Sequence, residues 1–415
     1  MALRIAVIAT VVAVLGFAVA VAIEIHGGVE MPVIVDPATP DLIDRGRYLA
    51  LAGNCAGCHT GRGGRPYAGG RGVPTPFGTV YASNLTPDDA TGIGRWTAAD
   101  FRRAMRDGRS RDGRLLYPAF PYPNYTHVTP KDADALFAYL KTLPAVVAPN
   151  RSHALRFPYR SPIALATWRV LFFKPGAEPN DPTRSEEWNR GAYLVRGLGH
   201  CGACHSPRNM LGAIVGDDEL SGGRMPRQNW YAPSLRSAAE AGVADWPIQE
   251  VVALLGTGVA PRASVMGPMA AVVSGSMQHL TPSDLHAIAV FLRSLPQTVR
   301  PAIRVPAPDP ATMAQGEQIY ATQCASCHGR SGEGAAGIYP ALAGNRAVML
   351  DVPINLVRIV RSGAFAPATT GNPRPWGMPP FGHVLDDAQI AAVLSYVRGA
   401  WGNTAGPLSA AQTRH

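Results

Sequence analysis

The chain has only six cysteines in 415 residues, and none is spare. They form three copies of Cys-x-x-Cys-His: Cys55-Ala56-Gly57-Cys58-His59, Cys201-Gly202-Ala203-Cys204-His205 and Cys324-Ala325-Ser326-Cys327-His328. No thiol is left over for a structural disulfide or a catalytic nucleophile. Charge is scarce too, at 16% of residues, and the net charge of +9 comes mostly from arginine. Without a clustered Lys/Arg run or a recognition motif, nothing argues for nucleic acid. A hydrophobic share of 47% excludes a disordered chain.

Cys-x-x-Cys-His is the attachment pattern of a c-type haem: two thiols bond to the porphyrin edge, and the next residue places an imidazole under the iron. Zinc is the rival reading, since Cys-x-x-Cys is half a zinc site. Zinc pairs recur within a few tens of residues, whereas these motifs start 146 and 123 residues apart. Zinc also gives no reason for a histidine after every second cysteine. The expectation is three covalently bound haem c groups, held by Cys55, Cys58, Cys201, Cys204, Cys324 and Cys327, with His59, His205 and His328 as axial ligands. The propionates of three haems would bring the loaded protein closer to neutral.

Met1-Ala2-Leu3-Arg4 precedes an uncharged apolar run from Ile5 to Ile23. Its 19 residues lie between a signal-peptide core and a full membrane span. Ala18-Val19-Ala20 and Ala20-Val21-Ala22 both match a cleavage pattern. Either way Arg4 stays inside and the rest is exported. The expected location is the periplasmic face of the bacterial inner membrane, with a retained anchor favoured over a cleaved signal.

Aligning the motifs reveals one module three times. Each motif follows a short helical signal containing a glycine (Gly46, Gly191, Gly316), and each module closes with an amphipathic helix, at 131–143, 283–295 and 387–401. Thr129-Pro130 and Thr281-Pro282 supply start signals for the first two. An aromatic recurs at one register of the closing helices: Tyr139, Phe291 and Tyr396. The glycine lets that helix cross closely. The expected fold is all-α: three tandem class I cytochrome c domains (41–148, 186–298 and 311–404) after a signal peptide or membrane anchor at 1–27. Proline-rich joins lie at 299–310 and 149–182. The second join carries an apolar stretch, 163–173, expected to rest on a neighbouring domain in preference to a partner subunit or the membrane surface.

The second axial ligand sets the potential, and methionine raises it. It is expected in the loop before the last helix: Met378 in module three, and Met269 in module two ahead of Met266 and Met277. Module one has Phe120 at the corresponding place, and phenylalanine cannot ligate iron. Met105 is expected to pack in the core, and His127 is a weaker candidate ligand. His200, beside Cys201, is read as a packing residue at the haem edge. The remaining histidines are read as surface or packing residues.

The chain resembles the tri-haem cytochrome c subunits of membrane-bound bacterial dehydrogenases, of the alcohol, gluconate, sorbitol, fructose and molybdenum-hydroxylase-associated kinds. The resemblance rests on residues 75–88, 91–96, 116–122, 187–194, 197–205, 207–209 and 230–233, and covers nearly all of the chain after residue 40. Family members with methionine in the Tyr-Pro-Ala-x-Pro-Tyr loop use it on the first haem; Phe120 departs from them. The resemblance implies an electron-transfer subunit rather than an enzyme. Its partners would be a flavin, molybdenum or quinoprotein catalytic subunit, ubiquinone or a terminal oxidase, and the inner membrane. The chain itself offers no flavin fingerprint, quinone-cofactor propeller or molybdenum site. Rival readings are a haem enzyme with an open first iron and a free-standing periplasmic carrier.

Overall fold

Residues 1–27, 39–177, 180–214, 216–225, 227–298 and 308–414 are described by a computed structural model. The proline-rich join at 299–310 lies outside the described residues up to position 307.

Unbroken apolar sequence makes the first element: one helix, Ala2–His26, with mean hydropathy 2.8 over its most apolar window. At 1.5 Å per residue its 25 residues reach about 37 Å, enough to cross a bilayer. Its sides are exposed until Val21, which is buried against Leu115 and Ala166.

The chain then divides into two compact units. The first comprises Met1–Asn180, Tyr193–Ala203 and Arg208–Ile214; the second comprises Asp181–Ala192, Cys204–Pro207 and Val215–His415. Most of the second module therefore shares a unit with the third, while 193–203 and 208–214 group with the first, and the division runs through the second Cys-x-x-Cys-His motif. Specific bonds tie the two modules inside the second unit. Tyr231 and Asn355 exchange two hydrogen bonds, of 2.9 and 2.7 Å. Arg346 donates to the Gly242 carbonyl and to Asp245, both at 2.8 Å.

In each module the first helix crosses the closing helix at glycine. The pairs are Pro40–Ala52 with Pro130–Lys141, Glu186–Tyr193 with Pro282–Arg293, and Pro310–Gln323 with Asp387–Gly399. A Cβ at Gly46, Gly191 or Gly316 would run into the carbonyl of Ala135, Ala287 or Ala392 respectively. The same Cβ would stand only 2.8, 2.8 and 2.7 Å from the Cβ of Tyr139, Phe291 and Tyr396. Two crossings carry an ion pair beside the glycine: Arg45 to Asp132, and Arg190 to Asp284 through two bonds of 2.8 and 2.7 Å. The third has Gln315 and Gln389 at those positions. Each closing helix is capped at its start: Thr129, Thr281 and Asp386 accept from the backbone N–H groups of Asp132, Asp284 and Gln389. Leu49, Leu136 and Leu140 fill the first crossing, and Ile390, Val393 and Leu394 the third. Each buried leucine contributes roughly 1.5–3 kcal/mol.

Helices dominate, but the described residues also contain nine short strands, which the all-α expectation did not include. The largest sheet joins Gly72–Thr75, Gly78–Tyr81 and Ala154–Leu155, antiparallel, with Gly72 opposite Tyr81 and Gly78 opposite Leu155. The others are antiparallel pairs of two or three residues per strand: Gly223–Met225 with Trp230–Ala232, Val259–Ala260 with Ala263–Ser264, and Ala364–Phe365 with Gly377–Met378.

We predict that Gly191→Ala destabilises its module by about 1–3 kcal/mol, the usual cost of overpacking. Thermal unfolding followed by far-ultraviolet circular dichroism would read it as a lowered midpoint.

Candidate haem attachment sites

Each motif forms a single helical turn: Cys55–His59, Gly202–His205 and Ala325–His328. The three turns are held in the same way, by residues scattered along the sequence. The histidine Nδ1 faces a backbone carbonyl: His59 to Ser83 at 2.7 Å, His205 to Pro233 at 2.7 Å, His328 to Pro340 at 3.0 Å. Its own carbonyl accepts from a glycine N–H: Gly69 at 2.7 Å, Gly222 at 2.7 Å, Gly334 at 2.8 Å. All three glycines have positive φ, of 77°, 96° and 68°. Two residues earlier, Tyr67, Leu220 and Gly332 also have positive φ. Their carbonyls accept from Leu85, Leu235 and Leu342, which lie just beyond the carbonyls that hold the histidines. A Cβ at Gly69 would meet the Ser83 backbone, and one at Gly334 the Tyr339 carbonyl.

This geometry decides the tautomer. A carbonyl can only accept, so Nδ1 carries the proton and Nε2 keeps its lone pair for a metal. Burial also lowers the pKa of His59, His205 and His328, more than the carbonyl bond raises it, so the neutral imidazole needed for ligation is favoured. Burial, and then the neighbouring Cys58, push the Cys55 thiol up to about 12. Cys324 rises to about 11, by burial and then Cys327. Among the described residues no three His, Cys, Asp or Glu side chains converge as a metal-ion site, and no disulfide joins the cysteines. The residues present fit covalent haem: two thiols and one oriented, neutral imidazole, three times over.

Met269 is half-buried at the second position of helix Pro268–Gly275. Met378 is half-buried in the strand Gly377–Met378, opposite Ala364. Met266 is half-buried as well, whereas Met277 is buried in the turn Met277–His279. In module one Phe120 packs on the core with its ring 5.3 Å from Tyr125. Met105 is buried on helix Ala98–Asp107 in the same cluster.

Sequence reasoning gave His200 too little weight. It is half-buried at φ 37°, its Nδ1 lies 2.8 Å from the Leu198 carbonyl, and its ring packs edge-on against Tyr125 at 5.7 Å. Burial, with Cys55 and Cys58 nearby, raises the Tyr125 pKa well above its usual value. The residue before the second motif thus belongs to the surroundings of the first. A signal for this stood in the spacing: first cysteines follow the crossing glycines by nine, ten and eight residues. The longest interval contains a π-turn, Leu194–Leu198, kinked at Gly197. Such an insertion re-aims the chain that follows.

Comparison with known proteins agrees with these observations. The cytochrome c family matches residues 43–144, and the family of cbb3-type cytochrome c oxidase subunit III matches residues 311–397. One of the subunits of nicotinate dehydrogenase from Pseudomonas putida is 42% identical over 86% of this chain, which spans only 30% of that protein's length. The cytochrome c subunit of alcohol dehydrogenase (quinone) from Gluconacetobacter polyoxogenes is 39% identical, covering 88% of this chain and 83% of its own. The gluconate 2-dehydrogenase cytochrome c subunit of Pantoea cypripedii is 38% identical, covering 89% and 88%.

Three covalent haems would occupy all six cysteines with thioether bonds, so we predict that the mature protein, fully denatured, presents no thiol to an alkylating reagent. A zinc protein of this sequence would present six.

Proposed function

Because the chain belongs to the cytochrome c subunits of bacterial dehydrogenases, we propose that it carries three haem c groups and relays electrons from a catalytic dehydrogenase subunit to ubiquinone or another respiratory acceptor. It is an electron-transfer subunit, and substrate oxidation takes place on its partner. The partner would be a flavin, molybdenum or quinoprotein dehydrogenase at the periplasmic face of the inner membrane. The apolar helix Ala2–His26 would serve as the anchor. The burial of Val21 and the bonds from Arg109 and Arg169 to Glu24 support that role by fastening the helix end to the first unit.

One observation carries the haem count: the histidine turn is built the same way in all three modules, down to the glycine N–H and the carbonyl on Nδ1. Cys55 with Cys58, Cys201 with Cys204 and Cys324 with Cys327 would form the thioethers. His59, His205 and His328 would be the proximal ligands, with Met269 and Met378 opposite the last two. Haem c bound there supplies a one-electron iron couple. The protein's share is to orient each imidazole, raise its basicity through the Nδ1 bond, and exclude water with the buried clusters. Phe120 brings no donor atom to the first site, whose second ligand would be a histidine or another group, or whose iron would stand open; with a histidine there, that site would have a lower potential than the other two.

His59→Ala, His205→Ala and His328→Ala should each remove one third of the covalent haem measured as pyridine haemochrome; a variant that keeps its full haem content would count against its site. Met378→Leu should lower one potential in a redox titration, by a sizeable part of the ~0.8 V that axial ligands command, and leave the other two in place. An unchanged potential would remove Met378 as a ligand.

A further inference from the structure

Helix Pro162–Phe172 is built inside out. Its one charged residue, Arg169, is 3% exposed and points inward, where its Nε donates to Glu24 at 2.6 Å. Ala166 is fully buried on the same side, with Leu165 and Val170 partly covered. At about 100° per residue, the opposite side consists of Ile163, Ala164, Thr167 and Leu171, with Phe172 and the half-buried Trp168, whose Nε1 donates to the Leu211 carbonyl at 2.9 Å, along one margin. Ile163 is 62% exposed and Leu171 52%. A surface helix of a soluble protein faces water with its polar residues and the core with its apolar ones; here the arrangement is reversed.

Its position says what covers it. The helix packs on the end of Ala2–His26, where Val21, Ile25, Ala166, Leu165 and Val170 form one cluster with Leu115. Val21 lies two residues before the end of the uncharged run at Ile23, about 3 Å along the axis. If Ala2–His26 spans the bilayer, this helix sits at the level where hydrocarbon meets headgroups. The charge around it fits that level. From 145 to 177 the sequence has no Asp or Glu, and Arg156, Arg160 and Lys174 are exposed on either side of the helix.

We propose that helix Pro162–Phe172 lies in the outer surface of the membrane as a second contact, its apolar face in the acyl boundary and the flanking cations on anionic lipid phosphates. Two fixed contacts orient the first cytochrome unit relative to the bilayer, which one spanning helix cannot do. The proposal rests on the anchor reading of Ala2–His26, and its test separates the two.

The full-length, haem-loaded protein is reconstituted into phosphatidylethanolamine/phosphatidylglycerol vesicles with a carbene photolabel dissolved in the bilayer. Trypsin cleavage at Arg160, Arg169 and Arg184 releases this helix, in peptides 161–169 and 170–184, apart from the N-terminal peptide that begins at Ile5, and fragmentation assigns the label within 161–174. Both should be labelled, and labelling of 161–174 should persist when the catalytic subunit is bound. A labelled N-terminal peptide with an unlabelled 161–174 overturns the membrane contact and leaves the anchor intact; absence of label from both overturns both. Loss of label at 161–174 on binding the catalytic subunit assigns the face to that subunit and also overturns the proposal. The double variant Ile163→Glu/Leu171→Glu changes only outward positions. It should keep the haem spectrum and lose at least fivefold of the label at 161–174; undiminished labelling counts against the proposal.

Discussion

Everything in this chain is hung on a helix crossing with no room for a side chain. At Gly46, Gly191 and Gly316 the first helix of a module lies directly on a carbonyl of the closing helix, with an aromatic ring packed beside it. Glycine is entropically costly inside a helix, so its recurrence at one place in three helices has to be offset by packing. The crossing fixes where the first helix ends, and the cysteine motif starts eight to ten residues after it. The histidine turn is thereby brought to the same face of each module, where a loop carbonyl meets its Nδ1. The Arg45–Asp132 and Arg190–Asp284 pairs set the rotation of two of the crossings; in the third, Gln315 and Gln389 stand in their place and apolar packing around Tyr320, Ile390 and Leu394 carries the load.

Small departures from this repeat are where the modules acquire different roles. One additional residue between Gly191 and Cys201, taken up in the π-turn at Leu194–Leu198, carries His200 to the ring of Tyr125 near Cys55 and Cys58. Phe120 for methionine leaves the first site without a thioether at that loop. Both departures fall on the surroundings of the first Cys-x-x-Cys-His motif. In the proposed relay, sequence differences among otherwise equivalent sites are a means of setting the haem potentials apart.

The sequence made the motifs, the closing helices, their threonine caps and the crossing glycines legible, because each is a local pattern with a local physical cause. Gly332 and Gly334 announce a left-handed turn; the same turn at Tyr67 and Leu220 is invisible, since those residues adopt positive φ only because the loop around them demands it. The carbonyls on Nδ1 belong to Ser83, Pro233 and Pro340, at 24, 28 and 12 residues from their histidines, and a backbone acceptor has no side-chain signature. The division into two units was equally hidden, for it depends on long-range bonds such as Tyr231 to Asn355. Residues 163–173 rest, as expected, on the neighbouring first domain, through Ala166 against Leu115 and Arg169 over Tyr122. Composition reveals that a stretch is apolar, but only the position of Arg169 against Glu24 reveals which side of the helix faces outward.

The central claim is that three equivalent sites each hold one covalent haem in an anchored electron-transfer subunit. The intact mass of the membrane-extracted protein tests it most directly, since it reports covalent additions and the start of the chain together. A mass equal to the chain from its first residues plus three haems is predicted. A mass that accounts for two haems or fewer, or for a chain beginning after residue 20, would contradict the account.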